Sequence, residues 1–379
     1  MFGFSHAEII LFLVVFPIGL HLLFVVYFWI RSWGFSTSSE GQTEFRPISI
    51  IIAAKNEAEN LHDNLQYFLN QDYPNYEVVV VNDGSYDATS VILEQLQTHY
   101  PNLRISEVQD NEKYRRGKKL ALFYGIKASK NEYLVFSDAD CRPASQHWLR
   151  EMNAGFNNGK RIVLGYGSYK KQKNFLNLLI QFDTVLTALN YFSFTLAGIP
   201  YMGVGRNLGY TKSLFYEQKG FSKHIHHPSG DDDLFVNMAA TETNVGLVLN
   251  RSAMTISKPK EDFNHWMRQK RRHASTSKWY KTSHKFFLAW GTASWYFGLL
   301  FFVFAFPYLL LKENNATFAY VALGVWGITF FIRWISMARM AMKVGEKRIP
   351  YFFPILEFIF PMLHVYFTMD GWFSKKTDW

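Results

Sequence analysis

Two carboxylates one residue apart, Asp138 and Asp140, follow directly on the apolar run at residues 133–136. Hard divalent cations such as Mg²⁺ and Mn²⁺ take oxygen ligands, and one or two carboxylates usually hold them together with substrate phosphates. Ligands of α/β proteins bind at the carboxyl ends of strands, where both residues lie if the apolar run is a strand. The pair therefore predicts a metal-assisted site for a phosphate-bearing substrate, although strands also end in aspartate at ordinary turns.

Four more residues could contact a nucleotide. Asn56 and Glu57 follow one apolar run and Asp83 follows another, so they could meet a base or ribose, or simply begin a helix or a turn. Lys118 follows a glycine at the predicted start of a helix, where an ammonium and backbone amides attract phosphate. The upstream glycine of a P-loop is missing, and a solvated basic loop is the competing interpretation of residues 115–119.

Two charged segments come later in the chain. Asp231, Asp232 and Asp233 could supply a general base, a second metal site or a solvated acidic turn. The basic run at residues 269–273 is predicted near the start of a helix. It could neutralise a diphosphate through forked arginine contacts, or it could lie against a membrane surface.

The elements that would position these groups alternate between strand and helix. Apolar runs typical of strands alternate with segments of helical periodicity in this order: 48–54, 57–70, 76–81, 87–99, 103–108, 118–129 and 132–136. Near-continuous apolar strands separated by helices predict an α/β domain with a mostly parallel sheet covered on both faces. The polar groups would then share one edge of that sheet.

Four further stretches are apolar enough for membrane contact: residues 7–30, 286–311, 317–335 and 351–367. A spanning helix needs about 20 mostly apolar residues, a length that the first three reach. The fourth contains Pro354, Pro361 and Glu357, so we expect a kinked or re-entrant segment there. Residues 172–200 are apolar with polar interruptions, which favours interfacial amphipathic helices.

The predicted domain organisation follows from this pattern. We expect a transmembrane anchor at residues 1–35, a linker at 36–43, a cytosolic α/β domain at 45–285 and a membrane region at 286–372. Basic residues beside the apolar stretches place the large middle part in the cytosol. The net charge of +9 suits anionic lipid headgroups and nucleotide phosphates, and we expect no nucleic acid partner. The single cysteine fits a reducing compartment.

Taken in order, these motifs resemble those of the family 2 glycosyltransferases, in the membrane-embedded branch that includes cellulose and hyaluronan synthases. The family pattern is Asn-Glu, Asp-Gly-Ser, Gly-Lys-x-x-Ala, Asp-x-Asp, an acidic motif and Gln-x-x-Arg-Trp. The matching residues here are Asn56-Glu57, Asp83-Gly84-Ser85, Gly117-Lys118-Lys119-Leu120-Ala121, Asp138-Ala139-Asp140, Gly230-Asp231-Asp232 and Gln269-Lys270-Arg271-Arg272-His273. Each motif is loose, but six in one order across residues 47–275 make a specific signal.

The resemblance implies a GT-A fold, which is a single α/β domain that binds a nucleotide sugar. A UDP-sugar is our first guess for the donor. The implied roles are nucleotide contact for Asn56, Glu57 and Asp83, diphosphate contact for Lys118 and Asp138, Mg²⁺ or Mn²⁺ binding for Asp140 with Asp138, and support of the leaving diphosphate for Gln269, Arg271 and Arg272.

The resemblance also implies a single in-line displacement with inversion, in which one aspartate removes the proton of the acceptor hydroxyl. Alignment from Gly230 makes Asp232 this base, which we take as the first choice, and alignment from Leu234 makes it Asp231. His273 stands where the polymerising synthases carry tryptophan, and the sequence contains no set of six or more spanning segments. We therefore expect one addition to a lipid or glycan acceptor at the bacterial inner membrane.

Three alternatives stay open. A processive polysaccharide synthase of the same family would differ in product length. A membrane transport or scaffold protein with a regulatory nucleotide-binding domain would not turn over a sugar donor. A nucleotidyltransferase on a similar fold would release pyrophosphate rather than a nucleoside diphosphate.

Overall fold

The computed structural model describes residues 5–37, 44–108, 117–227, 229–311 and 316–373. Residues 38–43 of the predicted linker, and residues 115 and 116 of the predicted basic loop, lie outside the described residues. The strands of the described residues are β1 (Ile48–Ala54), β2 (Tyr76–Asn82), β3 (Leu103–Glu107), β4 (Tyr133–Asp138), β5 (Cys141–Pro143), β6 (Ile162–Leu164), β7 (Gly167–Tyr169), β8 (Leu208–Thr211), β9 (Val245–Leu247) and β10 (Thr255–Ser257).

The helices divide between the sheet domain and a bundle of long apolar segments. In chain order they are α1 (His6–Tyr27), α2 (Ala58–Leu69), α3 (Thr89–His99), α4 (Lys118–Ala128), α5 (Trp148–Gly155), α6 (Phe175–Leu196), α7 (Lys212–Glu217), α8 (Asp233–Ala239), α9 (Phe263–Thr276), α10 (Thr282–Leu311), α11 (Ala316–Lys343) and α12 (Ile349–Phe373).

A seven-stranded sheet forms the centre of the domain, in the order β3-β2-β1-β4-β8-β6-β9. Strands β3, β2, β1 and β4 are parallel, β8 is antiparallel to both of its neighbours, and β9 is parallel to β6. A smaller sheet has the order β5-β10-β7. The predicted mostly parallel α/β fold is therefore confirmed.

The register of the parallel strands brings the predicted polar groups to one edge. Ala54 at the end of β1 pairs with Asn82 at the end of β2, and Ala53 pairs with Asp138 at the end of β4. Because parallel strands all point the same way, the residues that follow these three strands emerge side by side. The register of the strands is therefore enough to bring Asn56, Asp83 and Asp138 to one edge of the sheet.

The side chain of Asp87 accepts backbone amides at the starts of two helices. One carboxylate oxygen accepts a hydrogen bond from the Thr89 amide of α3 at 3.0 Å. The other accepts one from the Ala58 amide at the first turn of α2, at 3.1 Å. A side chain that satisfies unpaired amides at two helix starts couples the loops after β1 and β2.

The prediction of interfacial helices at residues 172–200 does not match the structure, which has the single helix α6. No glycine or proline interrupts the chain within α6, so nothing in the segment breaks it into two. Its polar residues are not a solvated face either, because Asn177 and Gln181 are buried and joined by a hydrogen bond of 2.7 Å. Helix α6 packs between the sheet domain and the helices α11 and α12.

Within the described residues, four helices are long and apolar enough to cross a membrane: α1 with the short turn after it, α10, α11 and α12. The first three agree with the predicted stretches. The fourth stretch, predicted as kinked or re-entrant, lies within α12, which is a single helix through Pro354 and Pro361. A proline removes one backbone donor, and a helix packed against neighbours tolerates that loss; α12 packs against α6, α9 and α11.

A buried ion pair joins two of these helices. Arg333 of α11 donates from Nε to Glu357 of α12 at 2.6 Å, and both residues are buried. The same guanidinium contacts His21 of α1 and lies 4.6 Å from the Trp29 ring and 4.2 Å from the Trp295 ring. One charged residue therefore contacts several segments of the bundle.

Replacing Glu357 by leucine should destabilise the protein strongly, because it leaves the Arg333 charge buried without its carboxylate. Breaking a buried pair typically costs about 3–5 kcal/mol, whereas replacing both partners by apolar residues is often nearly neutral. We expect the double variant Arg333→Met/Glu357→Leu to unfold at a higher temperature than Glu357→Leu in the same detergent. Equal melting of Glu357→Leu and the wild type would contradict this role for the pair.

Candidate active site

The loops after β1 and β2 are tied together at the edge of the sheet. Asn56 has a left-handed backbone with φ of 55°, a conformation that asparagine tolerates better than most residues. Its amide donates to Ser85 Oγ at 2.9 Å, and its side-chain oxygen accepts from the Tyr86 amide at 3.0 Å. Asn56 therefore shapes the loop that contains Asp83, in addition to being a predicted contact residue.

Two acidic residues line this part of the edge. Asp83 is buried, and one of its carboxylate oxygens lies 4.0 Å from the ammonium of Lys55. Glu57 accepts a hydrogen bond from Asn60 at 2.6 Å. Burial raises the pKa of Glu57, and the neighbouring carboxylates of Asp140 and Asp138 raise it further. The predicted nucleotide-contact and metal-contact residues thus share one negatively charged region.

Asp138, Asp140 and Cys141 form a compact group at the end of β4. One ligand atom from each lies within 4.8 Å of the others. Burial raises the pKa of Asp140, and the adjacent Asp138 raises it further. Two carboxylates that repel each other fit a divalent cation, because a bound positive charge reverses that repulsion. Cys141 donates from Sγ to Asp140 Oδ1 at 3.3 Å, so it orients a carboxylate of the group.

Lys118, the first residue of α4, joins two motifs that are far apart in the sequence. Its ammonium lies 2.8 Å from Asp138 Oδ1 and 2.9 Å from Asp231 Oδ2. Burial alone would lower the pKa of Lys118, but these carboxylates raise it well above its usual value. The lysine is therefore a fixed positive charge between the aspartate pair and the acidic segment.

The three consecutive aspartates have three different environments. The ammonium of Lys118 forms an ion pair with Asp231 and lowers the pKa of its carboxyl, although burial alone would raise that pKa. Asp232 accepts the Gly205 amide at 2.7 Å on one oxygen and the Asp233 amide at 2.8 Å on the other. Burial and the flanking carboxylates of Asp231 and Asp233 raise the pKa of Asp232 to about 7.

Asp233 connects the acidic segment to the helix that contains the basic run. It accepts hydrogen bonds from Thr276, the last residue of α9, and from the hydroxyl of Tyr280 at 2.7 Å. Burial raises the pKa of Asp233, and these two hydroxyls oppose that rise. Asp233 is thus a structural link rather than a side chain that faces the sheet edge.

The predicted phosphate-contact residues of α9 lie on different sides of the helix. Gln269 donates to the Tyr169 hydroxyl at 3.3 Å, and Lys270 pairs with Asp183 of α6. At 3.6 residues per turn, Arg272 lies about 60° from Gln269 and Arg271 about 160° from it. The structure therefore brings Gln269 and Arg272 to neighbouring positions and places Arg271 nearly opposite to Gln269.

Arg206 is a candidate site residue that sequence reasoning missed. Its guanidinium lies 4.3 Å from the Tyr169 ring and donates to the Gly167 carbonyl at 2.7 Å. Its Nε is buried and has no hydrogen-bond partner among the described residues. Burial alone would lower the pKa of Arg206, but Tyr169 and Cys141 raise it. The surrounding Gly-Val-Gly-Arg-Asn segment follows no predicted strand, so no sequence pattern indicated this position.

Two family models match the chain. One, described as glycosyl transferase family 2, matches residues 49–216. The other, described as glycosyl transferase family group 2, matches residues 133–344. The two matches together cover the sheet domain and extend through α10 and α11.

Curated relatives match the chain over shorter regions. The glycosyltransferase AglE of Haloferax volcanii is 41% identical over 104 residues, which are 27% of this chain and 33% of the relative. The poly-beta-1,6-N-acetyl-D-glucosamine synthase of Staphylococcus epidermidis is 32% identical over 136 residues, 34% of this chain and 32% of the relative. The matched region thus spans about a third of each relative.

A solved structure is similar to the chain over nearly its whole length. The mannosyltransferase PcManGT from Pyrobaculum calidifontis, in complex with GDP-Man and Mn²⁺, aligns with a TM-score of 0.57. The alignment covers 98% of this chain and 99% of that chain at 19% sequence identity. At this identity the likeness concerns the fold, which includes the sheet domain and the long apolar helices.

Proposed function

Because the chain belongs to the family 2 glycosyltransferases and has a GT-A domain, we propose that it transfers a sugar from a nucleoside-diphosphate sugar to a hydroxyl of a membrane-associated acceptor, with inversion. The observation that carries this proposal is the position of Lys118, whose ammonium lies between Asp138 and Asp231. It connects a group suited to a diphosphate and a metal with a group suited to proton transfer. The residues suited to diphosphate and metal binding and the residues suited to proton transfer therefore belong to one ion-paired cluster.

The donor would lie along the edge of the sheet. Asp83, buried at the end of β2, would accept hydrogen bonds from the base or ribose, beside Asn56 and Glu57. The diphosphate would lie between the ammonium of Lys118 and the side of α9 that presents Gln269 and Arg272. An arginine offers a diphosphate two parallel hydrogen bonds, which fixes orientation as well as charge.

Asp140 and Asp138 would hold Mg²⁺ or Mn²⁺, which would offset the negative charge that grows on the leaving diphosphate. Burial and the nearby carboxylates raise the pKa of Cys141 well above its usual value, so the thiol stays protonated and keeps donating to Asp140. The cysteine is therefore a positioning residue for one of the proposed ligands.

The proton of the acceptor hydroxyl would pass to Asp231. Geometry ranks before pKa in the choice of a base, and Asp231 is the acid that shares Lys118 with Asp138. The lowered pKa of Asp231 keeps its carboxylate ready to accept a proton throughout the neutral range. As the acceptor oxygen bonds to the anomeric carbon, the bond from that carbon to the phosphate oxygen breaks on the opposite side, which inverts the configuration.

Asp232, the first choice from the motif alignment, would position a loop instead. Both of its carboxylate oxygens accept backbone amides, and one of these amides belongs to Gly205. Gly205 directly precedes Arg206, so Asp232 would hold the segment that directs this guanidinium toward the site.

The acceptor would be a lipid or a glycan presented at the cytosolic face of the bacterial inner membrane. Four candidate spans occur in the described residues. By the resemblance of residues 269–273 to Gln-x-x-Arg-Trp, His273 stands where the polymerising branch has tryptophan. This histidine favours the addition of one sugar over processive synthesis.

Incubation of the purified full-length protein with a panel of nucleotide sugars, Mn²⁺ and a membrane-lipid extract that supplies acceptors tests the proposal. We expect the release of a nucleoside diphosphate with one donor, and none from Asp140→Asn. A preparation with a cooperative melting transition that releases nothing from any donor would contradict the transferase reaction. Release of pyrophosphate would indicate a nucleotidyltransferase instead.

A further inference from the structure

Helix α9 has a second cationic side that the donor site does not use. Arg268 and Arg271, one turn apart, line a cleft of about 460 Å³ together with Phe263 and His265 of the first turn. Tyr366 of α12 forms the opposite wall. The cleft therefore lies where the sheet domain meets the end of an apolar helix.

An exposed apolar stripe leads along α12 to this cleft. Its side chains recur every three or four residues and are between 37% and 82% exposed: Tyr351, Ile355, Phe358, Met362, Tyr366 and Met369. At 100° per residue these positions fall within an arc of about 80°. Tyr366 belongs both to the stripe and to the wall of the cleft, so the two surfaces are continuous.

We propose that the cleft binds the phosphate of a lipid-linked acceptor, and that the hydrocarbon chain of this lipid lies along the α12 stripe. The proposal rests on the proposed function and names the acceptor class. Two guanidinium groups match a phosphate in charge and in hydrogen-bond geometry. The one carboxylate among the described residues of the cleft, Asp262, accepts the His265 amide at 2.9 Å and contacts the His265 ring, so its charge has local partners.

Helix α9 itself connects the cleft to the proposed donor site. Arg268 lines the cleft. The next residue, Gln269, donates to the Tyr169 hydroxyl at 3.3 Å, and the Arg206 guanidinium lies over the same tyrosine ring. The cleft and the proposed donor site therefore lie on two sides of one helix.

The accepting hydroxyl is separate from the phosphate. Arg271 and Gln269 lie on nearly opposite sides of α9, and a helix with its side chains is about 10 Å thick. A phosphate held by Arg268 and Arg271 cannot also be at the donor diphosphate. The acceptor class is therefore a lipid phosphate or diphosphate with at least one sugar between the phosphate and the accepting hydroxyl.

Lipid binding to the full-length protein in detergent, measured without a donor, tests this inference. The probe is a fluorescent polyisoprenyl diphosphate that carries one N-acetylglucosamine. Arg268→Gln should bind it about ten- to a hundredfold more weakly, as expected for the loss of a charge-assisted hydrogen bond. Lys127→Gln removes one exposed charge from the end of α4 and should bind like the wild type. Donor hydrolysis without acceptor should be the same in all three proteins.

Unchanged binding in Arg268→Gln would overturn the inference. The inference would also be overturned if Arg268→Gln lost as much affinity for phosphatidylglycerol vesicles as for the probe. Such a result would indicate a general contact with anionic lipid. The same headgroup on a short, water-soluble chain should bind more weakly than the long-chain probe; equal binding would remove the role of the stripe. Failure of donor turnover in the wild type, with lipid binding intact, would count against the proposed function and not against the cleft.

Discussion

Replacing Asp231 by asparagine should lower the turnover number by about 10²- to 10⁴-fold, the usual contribution of a general base. The proposed base would lose its proton-accepting charge, while the aspartates at the end of β4 and the donor contacts on α9 would stay in place. Because a neutral amide at this position no longer holds the ammonium of Lys118, the donor should bind at least as tightly as in the wild type. Steady-state kinetics with the identified donor, together with calorimetry of donor binding, separates the two effects.

Asp232→Asn is the matched control, since it makes the same chemical change one residue away. It weakens a hydrogen bond to the Gly205 amide, and one such bond is worth about 1 kcal/mol, so turnover should fall by less than about tenfold. A larger loss in Asp232→Asn than in Asp231→Asn would reverse the two assignments.

The pH dependence of kcat/KM for the donor, which reports the free enzyme, discriminates between the same two residues. The Lys118 ion pair lowers the pKa of Asp231, so a base at this position stays ionised and kcat/KM should be flat between about pH 6 and pH 8. Burial and the adjacent aspartates raise the pKa of Asp232 to about 7. A base at Asp232 would lose activity as the pH falls through this value, because its proton-accepting form would be lost.

Replacing Asp140 by asparagine should remove metal-dependent donor binding and lower turnover by about 10³-fold or more. A bound cation supplies several kcal/mol of charge stabilisation, and each 1.36 kcal/mol corresponds to a factor of about ten. Mn²⁺ binding, measured by calorimetry without any donor, should weaken in parallel. Treatment of the wild type with a chelator should reproduce the loss of turnover. Added Mn²⁺ should restore turnover in the chelator-treated wild type but not in Asp140→Asn.

The melting temperature distinguishes a loss of metal binding from misfolding. Burial and the nearby Asp138 raise the pKa of Asp140, so its charge is unfavourable in the metal-free protein. We expect Asp140→Asn to melt at the same temperature as the metal-free wild type or above it. Asp63→Asn, the same change on an exposed residue of α2, should alter neither melting nor turnover. Full activity of Asp140→Asn, or of chelator-treated wild type, would remove the metal from the mechanism.

The position of Lys118 explains why the separate sequence motifs do not predict the whole site. The Gly-Lys pattern indicates a phosphate contact, and the acidic segment indicates a base, but neither shows that one ammonium joins them. This ammonium pairs with both Asp138 and Asp231. We propose that a bound diphosphate competes for the same ammonium, so that donor binding and release of the Asp231 carboxylate are coupled.

The sequence by itself determined the four parallel strands β1 to β4 and the edge at which the site lies. The apolar runs at residues 76–81 and 132–136 predict strands, and the parallel order of these strands places their carboxyl ends together. This information is local, because each strand and each following turn is encoded in a few consecutive residues. The pair Asp138 and Asp140 is therefore recognisable from the amino-acid sequence alone.

Only the tertiary structure decided how residues from distant segments face one another. The single helix α6, the orientation of Arg206 over Tyr169, and the position of Arg271 on the side of α9 opposite Gln269 all depend on packing between elements far apart in the chain. The contrast between Asp231 and Asp232 also arises there, because Lys118 at the start of α4 and Gly205 just before β8 belong to segments far apart in the chain. A sequence pattern names the residue types of such a site, but the environment of each carboxylate is a property of the assembled fold.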